Sequence, residues 1–270
     1  MTNNNKTKRE ELMMIQNNLD MLKHPAGQLK TVYNHDTGLV RVLKTINTLM
    51  FHQGQGGIFG HLILPLSAQG LYRACGKQFI INHNIDSTKR IINLLCLAGA
   101  IKVLSWKDLP HHEARNAKFE HIYYQCLDLR KADFSRINKM NCNTKLNYAV
   151  VATCYGKDVA GNVFSTVKAK SRHDKFNELN LKHFIDQVQA QGVITYKDAV
   201  SLFKDSQPGF KYGDQWFADS LKALFLMNYF QGRLKLTTAK RARATGLGID
   251  PTTKVIKPVK SDTKKFEGVA

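Results

Sequence analysis

The sequence predicts an α+β protein, mostly helical, with two blocks of similar element order joined by a basic segment. Two stretches carry the prediction. Residues 91–104, "IINLLCLAGAIKVL", and residues 221–236, "LKALFLMNYFQGRLKL", each run from an apolar-striped helix through a Gly into a strand that contains Lys. They lie about 130 residues apart and share order rather than residue identity. A third observation bounds the class. Hydrophobic residues make up 43% of the 270-residue chain, yet no run approaches the roughly 18 apolar residues of a membrane span. The start, "MTNNNKTKREE", has no apolar core and reads as no secretory signal. Five scattered Cys with no C-x-x-C pair argue against a disulfide framework, and a reducing cytoplasm is the expected setting.

The elements follow in order. Residues 1–38 read as an N-terminal helix and arm. Leu12, Ile15, Leu19 and Leu22 fall at helical spacing, and "HPAGQ" breaks the helix. The first block spans 39–130. Leu39, Val42, Leu43, Ile46, Leu49 and Met50 stripe a second helix. "GQGGIFG" then supplies a turn, and without a following Gly-Lys-Ser/Thr it makes no phosphate loop. "HLILPL" is a short strand, and Ser67 caps the short helix "SAQGLYRAC". "GKQFIINHN" reads as a turn with an extended piece. A helix capped by Asp86 or Ser87 buries Ile91, Leu94, Leu95 and Ala98, and Gly99 ends it. A strand over 100–106, a polar loop and a return strand over 119–129 complete the block.

Residues 131–180 read as a basic connector. "NYAVVATCYGKDVAGNVFSTVKAK" fits a β-hairpin around "GKDVAG", while Tyr148, Val151 and Ala152 also fit a helix. Periodicity leaves both open; the β-branched and aromatic content favours the hairpin. The second block, 181–240, again reads helix, strand, helix, helix, strand. Its first helix is capped by Asn180 and ended by Gly192, and its last buries Phe217, Leu221, Leu224 and Phe225. Residues 241–270 are basic, poor in core-forming side chains, and predicted to be a disordered tail.

Charge points to a partner. The formal net charge is +19. Residues 131–176 carry +6 and residues 231–270 carry +7, whereas 177–230 carry −1. Such an imbalance suits a polyanion.

The order helix, strand, helix, helix, strand, loop, strand over 39–129, repeated in part over 181–240, resembles tandem winged-helix DNA-binding proteins. Plasmid replication initiators and accessory DNA-binding proteins of conjugative elements are of this type. The resemblance implies two winged helix-turn-helix domains with short β-hairpin wings. It also implies a non-enzymatic role on double-stranded DNA at an origin, operator or transfer region of a plasmid, phage or other mobile element. In such a domain the third helix enters the major groove. Ser87, Thr88, Lys89, Arg90 and Asn93 lie on it, Arg90 and Asn93 suited to base edges and Thr88 and Lys89 to phosphates. The wing loop would add Lys107, His111, His112, Arg115, Asn116 and Lys118, with Arg favoured in the minor groove. In the second block Asp214 and Asp219 flank the corresponding helix and repel phosphate. There the contacts fall to Arg233, Lys235, Lys240, Arg241 and Arg243.

The expected partner is double-stranded DNA, with a homodimer left open and no membrane. No cofactor and no metal are predicted: His111, His112, Glu113, Asn116 and His121 crowd the wing loop, but their spacing fits no zinc pattern. Rival readings are an RNA or non-specific nucleic-acid binder, a protein-interaction adaptor with a basic tether, and, last, an enzyme. No Ser-His-Asp order, acid pair or Cys-His pair supports the last.

Overall fold

In a computed structural model, residues 2–55, 62–104, 109, 122–165 and 175–259 are described. The chain is α+β and about 60% helical, with two three-stranded antiparallel sheets. It divides into two units, Met1–Lys175 and Phe176–Ala270.

The first unit opens with helices α1 (Thr2–Lys23), α2 (Gly27–His35) and α3 (Thr37–Gln55). The sequence expected an arm where α2 forms; Leu29 and Val32 are buried there and hold it to the body. On α1 the stripe is as spaced, with Ile15 and Leu22 buried. Asn18 interrupts it and is fully buried. Its amide donates to Asn47 Oδ1 (3.0 Å) and Leu127 O (2.8 Å), and its Oδ1 accepts from Leu129 N (3.0 Å). One side chain thereby ties α1, α3 and the segment after the sheet. Helix α3 buries Leu39, Val42, Leu43 and Ile46 completely, at roughly 1.5–3 kcal/mol for each such side chain.

Strand β1 (Leu64–Leu66), α4 (Ala68–Ala74), α5 (Lys77–Asn82), α6 (Ile85–Leu97), β2 (Ile101–Leu104) and β3 (Ile122–Cys126) follow. The sheet order is β1-β3-β2, with Tyr124 of β3 opposite both Leu64 and Val103. Ser67 caps α4 as predicted, accepting from Gly70 N at 3.0 Å. The extended piece expected at 76–84 is instead the short helix α5, pinned by buried Phe79 edge-on to Tyr72. Helix α6 starts earlier than expected. Asn84 is the cap, and Ser87 completes a reciprocal capping box with it. Gly99, at φ +71°, ends α6 as predicted: Ala100 N reaches Leu95 O at 3.0 Å, a bond the left-handed residue makes possible.

Residues 131–165 correct the connector reading. A 3-10 helix (Phe134–Ile137), α7 (Tyr148–Tyr155) and α8 (Lys157–Val163) fold onto the first unit, and no hairpin forms among the described residues. Asn147 caps α7, and Gly156, at φ +90°, separates it from α8. Ala149, Val150, Val151 and Ala152 are all buried; burial on every side overrides the weak helix propensity of valine. Helix α8 packs on α6 and β2.

The second unit runs α9 (Glu178–Gln191), β4 (Ile194–Thr195), α10 (Tyr196–Asp205), α11 (Asp214–Leu226), β5 (Leu234–Thr238), α12 (Ala239–Ala242), a 3-10 turn (Thr245–Leu247) and β6 (Lys254–Pro258). Asn177 rather than Asn180 caps α9. The core is aromatic: Phe184 and Phe217 meet Phe203 edge-on at 5.4 and 6.0 Å. The sheet order is β4-β6-β5, the same first–third–second order as in the first unit. Strand β6 and α12 correct the expected disordered tail through residue 259. Val255 and Ile256 are fully buried, and Ala239, Ala244 and Val255 form a small core of their own. No described helix is long and apolar enough to cross a membrane.

Candidate nucleic-acid interface

Helix α6 is covered on most sides. Ile91, Leu94 and Leu95 face the core as the spacing requires, but Ile92, Cys96 and Leu97 are buried too. The 3-10 helix and α8 close over the helix, with Asp133 N bonded to Ala98 O (2.8 Å) and Arg136 Nη1 to Leu97 O (3.4 Å). What remains open is a stripe one residue wide: Asp86, Lys89, Arg90 and Asn93.

Two predicted contact residues are removed from this stripe. Ser87 and Thr88 are buried at 5% and 0% exposure. The Ser87 hydroxyl accepts from Asn84 N and donates to Asn84 O, both at 2.8 Å, and Thr88 Oγ1 donates to the same carbonyl at 3.0 Å. Their hydroxyls build the helix start and are not presented to a ligand. Lys89 is exposed, 3.4 Å from Asp86. Arg90 and Asn93 are half-buried, and the Arg90 charge acts on Cys142. Lys107, His111, His112, Arg115, Asn116 and Lys118 lie outside the described residues; β2 and β3, before and after them in the chain, pair through Leu104 and Tyr123.

In the second unit the cations sit on folded backbone. Arg233 donates to Tyr229 O at 2.7 Å and lies over the Tyr229 ring at 5.4 Å. Lys235 on β5 stands directly opposite Lys257 on β6. Lys240, Arg241 and Arg243 are exposed on α12 and its C-terminal cap. That corner is fixed by Ala239 N to Thr253 O (2.8 Å) and Lys240 N to Pro251 O (3.0 Å). Lys254 and Lys257 belong with this set and were missed. The signal was weak: "KVIKP" holds two adjacent β-branched residues, Val255 and Ile256, between lysines but shows no strand period.

Helix α11 carries opposite charge at its start. Asp214 pairs with Lys204 at 2.7 Å, and Asp219 accepts from Gln215 at 3.0 Å. Trp216 stacks on Tyr212 at 4.3 Å and on Phe210 at 5.5 Å, so it belongs to the aromatic cluster.

A cavity of about 630 Å³ between α1, α2, α3 and α4 is lined in part by Leu22, Tyr33, Val40, Arg41, Lys44 and Cys75. Its described lining holds no carboxylate, and Arg41 there donates to Cys75 O at 3.2 Å. Comparison with known proteins adds no relative: no family model, curated protein or solved structure matches the chain.

Proposed function

We propose that this chain is a non-enzymatic double-stranded DNA-binding protein with two winged-helix units, acting at an origin, operator or transfer region of a mobile element. The observation that carries the reading is the shared topology. The first unit runs helix α3, strand β1, three helices α4 to α6, then β2 and β3; the second runs α9, β4, two helices α10 and α11, then β5 and β6; both have sheet order first–third–second. In the resembling class that architecture sends the last helix before the hairpin toward the duplex and leaves the hairpin as a wing. The charge of +19 supplies the attraction to phosphate. In the first unit the Lys89/Arg90/Asn93 edge faces the groove. In the second, the β5–β6 hairpin and α12 grip the backbone through Lys235, Lys257, Lys240, Arg241 and Arg243.

One observation favours a less sequence-selective variant of this reading. Asp86 shares the open stripe of α6, and Ser87 and Thr88 are buried, so few groups remain to read bases. Binding would then be dominated by phosphates, on DNA or RNA.

The test compares affinities for duplexes selected from a random pool with those for unselected duplex and RNA, across a salt series. Arg90→Ala should cost about 1–3 kcal/mol on the selected site and flatten discrimination. Replacing Lys240, Arg241 and Arg243 by Gln should weaken all duplexes alike and lower the salt slope. Equal loss on selected and random DNA for Arg90→Ala would leave the phosphate-dominated variant. Failure of the whole chain to retain any duplex at low salt would reject both.

A further inference from the structure

Among the described residues, Asp36, His83 and Cys142 bring one ligand atom each to within 4.8 Å of one another. They come from the turn between α2 and α3, the turn between α5 and α6, and the loop before α7. No local spacing could have announced them, because Asp36 and Cys142 are 106 residues apart.

Each ligand is already aimed. The Asp36 carboxylate is fixed at both oxygens: Oδ1 accepts from Gly38 N at 2.8 Å, and Oδ2 accepts from Cys142 N at 2.7 Å. Each oxygen keeps a lone pair. The Cys142 thiol also bonds this carboxylate. The His83 ring lies flat on Phe79, with centroids 4.2 Å apart and planes 3° from parallel. Its Nδ1 is 3.2 Å from Phe79 O, and a carbonyl can only accept, so Nδ1 carries the proton. The ring's other nitrogen, Nε2, faces Asp36 Oδ1, 3.8 Å away. This arrangement, with the far nitrogen donating to a backbone carbonyl, is the one that orients metal-binding histidines.

The surroundings fit a small cation. The His83 and Asp36 side chains are only 10% and 8% exposed. Gly38 keeps the neighbouring space open: a Cβ there would overlap His83 Nε2 and come within 2.9 Å of Asp36 Oδ1. Zinc bonds of about 2.0–2.3 Å put tetrahedral ligands roughly 3.3–3.7 Å apart; the His83–Asp36 pair at 3.8 Å is close to that, and the three ligand atoms together lie within 4.8 Å and would close by up to about 1 Å. A carboxylate and a thiolate would give two negative charges. Burial and the Asp36 carboxylate push the Cys142 thiol up to about 11, and the Arg90 charge offsets only part of this.

We propose that Asp36, His83 and Cys142 form a three-ligand site for a divalent transition metal, zinc by ligand chemistry, which clamps the start of α6 to the α2–α3 turn and the loop before α7. One nitrogen, one oxygen and one thiolate sulfur suit zinc, with a fourth position left to water. The metal replaces the thiol proton, which leaves to solvent.

The test uses the full chain stripped with a chelator and titrated with Co²⁺. One equivalent should produce a sulfur-to-cobalt charge-transfer band in the near ultraviolet, displaced by Zn²⁺. Cys142→Ser should abolish the band, and His83→Gln should weaken binding at least about tenfold. No band with wild type, or a band unchanged in Cys142→Ser, overturns the site. A second measurement needs no variant: one equivalent of Zn²⁺ should slow alkylation of Cys142, followed by peptide mass, and leave Cys154 unaffected. An unchanged rate at Cys142 overturns the proposal. Neither readout involves DNA, so failure here and failure of the DNA-binding reading are separable.

Discussion

At the scale of the residue, the first turns of α6 show how a polar side chain can be mistaken for a contact. Thr88 sits where a groove-entering helix begins, yet it is fully buried and its hydroxyl is spent on Asn84 O. That carbonyl also receives the Ser87 hydroxyl and the Thr88 amide. Thr88→Val keeps the shape and removes one of three donors, so no acceptor is stranded. The expected outcome is a loss of about 1 kcal/mol in urea unfolding, with DNA affinity per folded molecule unchanged. A drop in affinity without a drop in stability would return Thr88 to the interface. Arg90 is the opposite case: half-exposed, on the open stripe, and near the Asp36–His83–Cys142 group. Type and spacing in the sequence gave both residues the same standing. Only burial separates them, and burial is set by elements packed on α6 from along the chain: α3, α4, the 3-10 helix and α8.

At the scale of the element, legibility followed length and period. Helices α3, α9 and α11 each bury one clear face and α6 buries most of its circumference, and their apolar spacing was sufficient to find them. Helix α5 spans only Lys77–Asn82, less than two turns, too short for a period to show. Helix α7 was favoured as the first strand of a hairpin with a helix left open, and α8 fell mostly in its turn, because short valine-rich segments beside a glycine satisfy both periods. Strand β6 was lost inside a basic tail, since its partner β5 ends at Thr238, well upstream. Once paired, β5 and β6 oppose Lys235 to Lys257. Directly opposed side chains have Cβ atoms about 4.5–5.5 Å apart, and like charges there destabilise. A phosphate between them would turn the repulsion into attraction. The double variant Lys235→Gln/Lys257→Gln should therefore stabilise the free protein by roughly 0.2–1 kcal/mol in urea. The same variant should bind duplex more weakly, with the salt slope reduced by about 2. Opposite signs in the two measurements are the signature of a hairpin kept for an anion. A fall in both would mean that the lysines serve packing alone.

At the scale of the whole molecule, the two units build the same sheet order by different means. In the first, β2 ends at Leu104, and β3, starting at Ile122, joins at the centre between β1 and β2. In the second, the chain leaves β5, builds α12 and a 3-10 turn, and only then returns as β6 between β4 and β5. The second sheet thus depends on the last described strand: β4 and β5 have no bond to each other except through it. Val255 and Ile256 are fully buried, which at roughly 1.5–3 kcal/mol each is comparable with the 5–15 kcal/mol of a typical domain. A chain stopped after Thr253 removes β6, its register with Leu236 and Ile194, and the small core around Ala239. A chain stopped after Val259 keeps all of these. The shorter chain should lose protection of residues 176–253 in limited proteolysis and part of its helical circular dichroism. The longer should match the full protein in both. Because α12 and the β5–β6 hairpin carry the second unit's cations, the shorter chain should also lose most of that unit's share of duplex affinity. A protease-resistant second unit in the chain ending at Thr253 would show that β6 is dispensable, and that residues 241–259 are after all a tail.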